Sequence, residues 1–127
     1  MSRTLLVEDN VIFRKSLSEI LCDEFPTMDI EEAANCKEAL QHIQTLPPPN
    51  LILMDIKLPD ESGLKLTQTI KATHPEIPII ILTSYNIPEY RDAARQVGAT
   101  NFLVKSISTS EEIVQAVKSV FPDSGNT

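Results

Sequence analysis

The chain alternates between short, almost unbroken apolar runs and longer stretches with helical spacing. Residues 4–7, Leu51–Met54 and 79–82 are each nearly continuous in Leu, Ile, Val or Met. That is the pattern of a parallel strand covered on both faces. Residues 11–24 place Phe13, Leu17, Ile20 and Leu21 on one helical face and turn Arg14, Lys15 and Ser18 away from it, with Asn10 as the N-cap. Residues 36–45 follow Asn35 with Glu38 three positions later, a capping-box start, and carry Ala39, Leu40 and Ile43 as their stripe. Met28 and Ile30 alternate with Asp29 and Glu31, which predicts an exposed edge strand over 28–33. A further short strand is predicted over 101–104, entered through Gly98. In the last helix Ile113, Ala116, Val117, Val120 and Phe121 follow helical spacing, and either Ser108 with Glu111 or Thr109 with Glu112 caps its start. Helices at 64–73 and 89–96 complete the pattern.

Strand then helix, five times over, predicts an α/β domain. It has a parallel sheet, helices on both faces and right-handed crossovers. One domain is expected over residues 1–121, with 122–127 as a tail or the start of a linker. Pro47, Pro48 and Pro49 are read as a stiff loop into the third strand, since proline cannot donate within a ladder.

Composition narrows the function classes. A net charge of −7 argues against direct nucleic-acid binding, which needs clustered Lys and Arg. The longest apolar runs are far too short to span a bilayer, and residues 1–10 lack the pattern of a signal peptide. Cys22 and Cys36 have no metal-ligand spacing and are expected as free thiols in a reducing cytoplasm.

In an open parallel sheet, ligands bind beyond the carboxyl ends of the strands. Those ends carry Glu8 and Asp9 (first strand), Asp55 (third), Thr83 and Ser84 (fourth) and Lys105 (fifth). Any one of these residues is as well explained by ordinary solvation at a loop end; the whole set on one edge is not. Clustered carboxylates repel unless a cation or a proton intervenes. Hard oxygen donors with no His or Cys suit Mg2+ and disfavour zinc. One carboxylate is then free to act as a nucleophile towards phosphorus, with Lys105 and Thr83 binding the phosphoryl oxygens.

The ordered motifs LLVEDN at 5–10, LILMDIKLPDESG at 51–63, IIILTSY at 79–85 and NFLVK at 101–105 resemble the response-regulator receiver family over roughly residues 3–121. The resemblance implies a doubly wound (βα)5 fold, flavodoxin-like and CheY-like, with strand order 2-1-3-4-5. It implies Asp55 as phosphoacceptor, Glu8 and Asp9 as the acidic pair serving Mg2+, and the backbone carbonyl of Lys57 as a further metal ligand. Lys105 is the implied phosphate-contacting lysine. Thr83 is the hydroxyl, and Phe102 the aromatic, of a switch that changes the surface of the fourth and fifth helices and fifth strand. Pro59 and Gly63 match the loop around the acceptor. The implied phosphodonor is a sensor histidine kinase or phosphotransfer protein, and the chain is a signalling phosphoacceptor rather than an enzyme acting on an external substrate. A C-terminal DNA-binding output domain, a separate output partner and a homodimer are all compatible with it.

Ser106 departs from the pattern, since the family carries proline after the lysine. It leaves open whether the Lys105–Ser106 peptide is cis or trans, and where the ammonium lies. Phe102 on its own reads equally as a core aromatic. Tyr85 reads either as a residue at the mouth of the site, affecting water access, or as surface packing. His42 and His74 read as solvated. Other functions fit the residues less well. An aspartate-nucleophile phosphatase typically has a second Asp two residues after the first, where Lys57 stands. A phosphate-independent interaction module would not need Asp55, Thr83 and Lys105 together.

Overall fold

The structure is a computed structural model describing residues 2–45 and 47–121; the expected tail at 122–127 lies outside the described residues. Its elements run β1 (Arg3–Val7), α1 (Val11–Glu24), β2 (Asp29–Ala33), α2 (Cys36–Gln44), β3 (Leu51–Met54), α3 (Gly63–Thr73), β4 (Ile79–Thr83), α4 (Pro88–Gln96), β5 (Asn101–Val104) and α5 (Ser110–Val120). All strand pairs are parallel and the order is β2-β1-β3-β4-β5. The predicted architecture is present, with element ends displaced by a residue or so.

Successive strand residues point to opposite faces, so each apolar run feeds two cores. Leu5, Val7, Ile52, Met54, Ile79 and Ile81 pack with Ala39 and Ile43 of α2, Leu66 and Ile70 of α3 and Ala94 of α4. Leu6, Leu51, Leu53, Ile80 and Leu82 pack with Leu17 and Leu21 of α1 and Ile113 and Val117 of α5. Removing each of the Leu, Ile, Val and Met side chains from water stabilises the fold by about 1.5–3 kcal/mol. Strand β2 lies at the sheet edge as expected, but its burial does not alternate: Ile30, Glu31 and Glu32 are all half-buried.

Caps fix where the helices begin. Asn10 accepts the Phe13 amide at 3.0 Å, and Asn35 accepts the Glu38 amide at 2.8 Å. At α5 the capping box is Thr109 with Glu112, which decides between the two pairs left open above. Helix α4 stops at Gly98, whose φ of +94° is one that L side chains rarely adopt. Among the described residues, no helix is long and apolar enough to cross a membrane.

Candidate functional site

The sheet ladder does not stop at the strand ends. It runs one residue further into the site. The Glu8 amide donates to the Ala33 carbonyl at 2.9 Å, the Asp55 amide to Val7 at 3.0 Å, and the Lys105 amide to Thr83 at 2.7 Å. The backbones of the two carboxylates and the ammonium are therefore fixed by the fold itself.

Their side chains meet. One carboxylate oxygen from each of Glu8, Asp9 and Asp55 lies within 4.8 Å of the others. Glu8 is 4% exposed and Asp55 7%, while Asp9 is open to solvent. The cluster is thus a shallow acidic cup reached from the Asp9 side. The Lys105 ammonium donates to Glu8 Oε1 and, at 3.2 Å, to Asp55 Oδ2. It also lies 4.6 Å from the centre of the Phe13 ring. With serine at position 106, the lysine still reaches both carboxylates. Asp55 Oδ1 accepts the Ile56 amide at 2.8 Å, and Glu8 Oε2 accepts the Asn10 amide at 2.9 Å. Burial holds the Glu8 carboxyl above its ordinary range. Lys105 and the Asn10 amide pull against that, and the neighbouring Asp55 charge adds to it.

Thr83 ends β4 fully buried, its hydroxyl accepting the Tyr85 amide at 3.3 Å. Phe102 is half-buried on β5, with the Arg91 guanidinium 4.7 Å from its ring centre. Lys57 turns its ammonium away from the carboxylates and onto an aromatic pair, 5.5 Å from the Tyr85 ring and 5.8 Å from Tyr90. These two rings meet edge-on at 6.1 Å. Tyr85 is exposed and packs at the surface with Lys57 and Tyr90.

The loop after Asp55 is tied down at both ends. Lys57 bridges to Ser62, and the Gly63 amide donates to the Ile56 carbonyl at 2.8 Å. Asp60 accepts the amides of Cys36 at 3.0 Å and Lys37 at 3.1 Å, capping α2 from outside its own sequence neighbourhood. The Cys36 amide is the main reason the Asp60 carboxyl sits below its ordinary range. Sequence reading did not find this cap, because twenty-four residues separate the partners and the local pattern offers Asn35 instead.

His42 is not simply solvated. Its Nδ1 lies 2.8 Å from Glu31 Oε1, and Arg3 holds the same carboxylate. This cluster lies away from the acidic cup. Among the described residues, the His74 ring makes a local contact alone, 3.0 Å from the Thr73 hydroxyl.

A five-stranded doubly wound sheet with an acidic cup and a lysine at its carboxyl edge defines a class of α/β signalling domain. The family model of the response regulator receiver domain matches residues 4–118, and the chain belongs to that family, which serves two-component signalling. It is 35% identical over 109 residues to the transcriptional regulatory protein YdfI of Bacillus subtilis, covering 86% of this chain and 50% of that protein. It is 31% identical over 121 residues to the DNA-binding transcriptional activator DevR/DosR of Mycobacterium tuberculosis, covering 94% and 54%. The chain spans about half the length of the curated relatives it matches. Among solved structures, a CheY-like response regulator receiver domain protein of Methanospirillum hungatei superposes with a TM-score of 0.87 at 28% identity, covering 99% and 98% of the two chains. Chemotaxis protein CheY4 of Vibrio cholerae gives 0.83 at 28% identity, covering 94% and 98%.

Proposed function

We propose that Asp55 is the phosphoacceptor of this receiver domain and that Glu8, Asp9 and Asp55, with the Lys57 carbonyl, hold Mg2+. The observation that carries this is the convergence of three carboxylates and one ammonium at the sheet's carboxyl edge. The donor set fits the ion: hard oxygens, no His or Cys, and one exposed carboxylate that leaves room for water. When bound, Mg2+ neutralises the cup and the charge that develops on the transferred group.

The chain's own residues do the rest. Asp55 Oδ2, on the Lys105 side, forms the new O–P bond while the P–N bond of a phosphohistidine breaks and its electron pair leaves with the imidazole. Lys105 binds a phosphoryl oxygen. The Thr83 hydroxyl leaves the Tyr85 amide to bind another, and Phe102 follows into the space that opens. The α4–β5–α5 surface then changes, which shifts a two-state equilibrium read by an output partner. Water later cleaves the acyl phosphate and returns the carboxylate. No external substrate is turned over.

The donor is a sensor histidine kinase or phosphotransfer protein in the cytoplasm. Among the described residues, the exposed large apolar side chains Val11, Ile12, Tyr85 and Ile107 all lie within three positions of Asp9, Thr83 or Lys105. An apolar rim around a charged cup supports a protein donor rather than a small metabolite alone. The output is a DNA-binding domain on the same polypeptide or a separate partner, as the regulatory relatives favour.

Borohydride reduction of the phosphorylated chain followed by peptide mapping tests the acceptor. Reduction of an acyl phosphate leaves homoserine, expected at position 55. Homoserine elsewhere, or none in a chain that carries phosphate, contradicts the assignment.

A further inference from the structure

Asp9 is the exposed member of the cup, and its carboxylate accepts no hydrogen bond from the described residues. Its position is therefore set by the backbone of the β1–α1 loop. The Glu8–Asp9 peptide that carries it is held at its carbonyl by one side chain. Arg14 Nη1 donates to the Glu8 carbonyl oxygen at 2.6 Å. Its Nε donates to Glu32 Oε1 at 2.7 Å, so the guanidinium spans from the loop to the edge strand β2. Only 12% of the Arg14 side chain is exposed, although the periodicity of α1 turns it away from the core. Glu32 is in turn held by Lys15 at 3.0 Å. Burial pushes the Glu32 carboxyl up, and the bonds from Arg14 and Lys15 outweigh it and keep the group below its ordinary range. The clamp therefore has an ionised anchor at neutral pH.

We propose that Arg14 is a positioning residue for the metal. It fixes the Glu8–Asp9 peptide by bridging its carbonyl to Glu32, and so sets where the Asp9 carboxylate stands relative to Glu8 and Asp55. The planar fork of arginine can serve a carbonyl and a carboxylate in fixed directions at once, which a lysine ammonium cannot do with the same geometry. The inference rests on the reading of the cup as a Mg2+ site.

The sign of the effect separates positioning from simple charge. Deleting a cation near an acidic cup strengthens the binding of Mg2+ if charge alone is at work, because a repulsion is removed. Loss of an outer partner that orients ligands weakens it, by about tenfold or more. The test is Mg2+ titration of the 127-residue chain by calorimetry, with no phosphodonor present. Arg14→Ala is expected to raise the Mg2+ dissociation constant about tenfold and Arg14→Lys by less. Lys15→Ala, which touches Glu32 but not the loop, is expected to leave it unchanged. Arg14→Met, which keeps the stem without the charge, covers the case in which Arg14→Ala does not fold and is expected to weaken binding likewise. Glu32→Ala is also expected to weaken binding, and combining it with Arg14→Ala adds little. Unchanged or tighter Mg2+ binding in folded Arg14→Ala, Arg14→Met or Glu32→Ala overturns the clamp alone. A parent chain that binds no Mg2+ overturns the metal reading and the clamp with it.

Discussion

A Cβ added to Gly63 would lie 1.8 Å from the carbonyl oxygen of Asp55. The glycine is there for space, since its φ is not in the left-handed region. Helix α3 begins directly beneath the acceptor, and the Gly63 amide closes the loop onto Ile56. Gly63→Ala must push backbone away from the Asp55 peptide. The expected cost is about 1–3 kcal/mol in denaturant unfolding, as for other overpacked sites. Weaker Mg2+ binding should accompany it. A stability within about 0.5 kcal/mol of the parent, the range of an inert surface change, contradicts the close-packed loop.

Why the site was legible while parts of its support were not follows from distance along the chain. Glu8, Asp9, Asp55, Thr83 and Lys105 each follow a recognisable apolar run, so the strand-end rule gathers them without coordinates. The Asn10 and Asn35 caps act within three residues of themselves and were equally plain. Arg14, Asp60 and His42 act across eighteen, twenty-four and eleven residues on Glu32, Cys36 and Glu31. Helical periodicity says only that Arg14 avoids the core stripe; it does not say that the side chain folds back over its own N-terminal loop. The end of α4 was legible through Gly98, but the stacking of Arg91 on Phe102 depends on how that helix lies against β5.

Thr83 is fully buried, with its hydroxyl on the Tyr85 amide. Thr83→Ala should cost about 1 kcal/mol for the lost hydrogen bond. Phosphorylation of Asp55 should persist, while the phosphorylation-dependent movement of the Phe102 ring resonances should largely disappear. If the ring resonances move in the variant as in the parent, Thr83 does not couple the acceptor to the aromatic.

The two thiols differ in environment. Cys22 is exposed, whereas Cys36 is buried and its thiol is pushed up to about 12 by burial, with the Asp60 charge adding to it. Since the thiolate is the reactive form, a disulfide reagent at pH 8 should modify one thiol quickly, at Cys22, and the other only on unfolding. Equal rates at both positions contradict the seat of Cys36 under the Asp60 cap.

The bond from Arg3 holds the Glu31 carboxyl below its ordinary range, with burial opposing and His42 assisting. A folded-state value lower than the unfolded one contributes stability above the unfolded pKa of about 4.3 and loses it as pH falls through the folded value. Glu31→Gln should therefore be less stable than the parent at neutral pH, by about 1 kcal/mol after solvent screening of this partly exposed pair. The gap should close on acidification below about pH 4. A pH-independent gap in unfolding free energy contradicts the assignment to this carboxylate.

In the function proposed for this receiver domain, Asp55 takes one phosphoryl group with the help of Mg2+. Intact mass spectrometry after incubation with acetyl phosphate, with and without Mg2+, tests it directly in the parent and in Asp55→Asn. One phosphoryl adduct is expected in the parent, dependent on Mg2+ and absent from the variant. A folded, Mg2+-binding parent with no adduct, or an adduct that survives in Asp55→Asn, would contradict it.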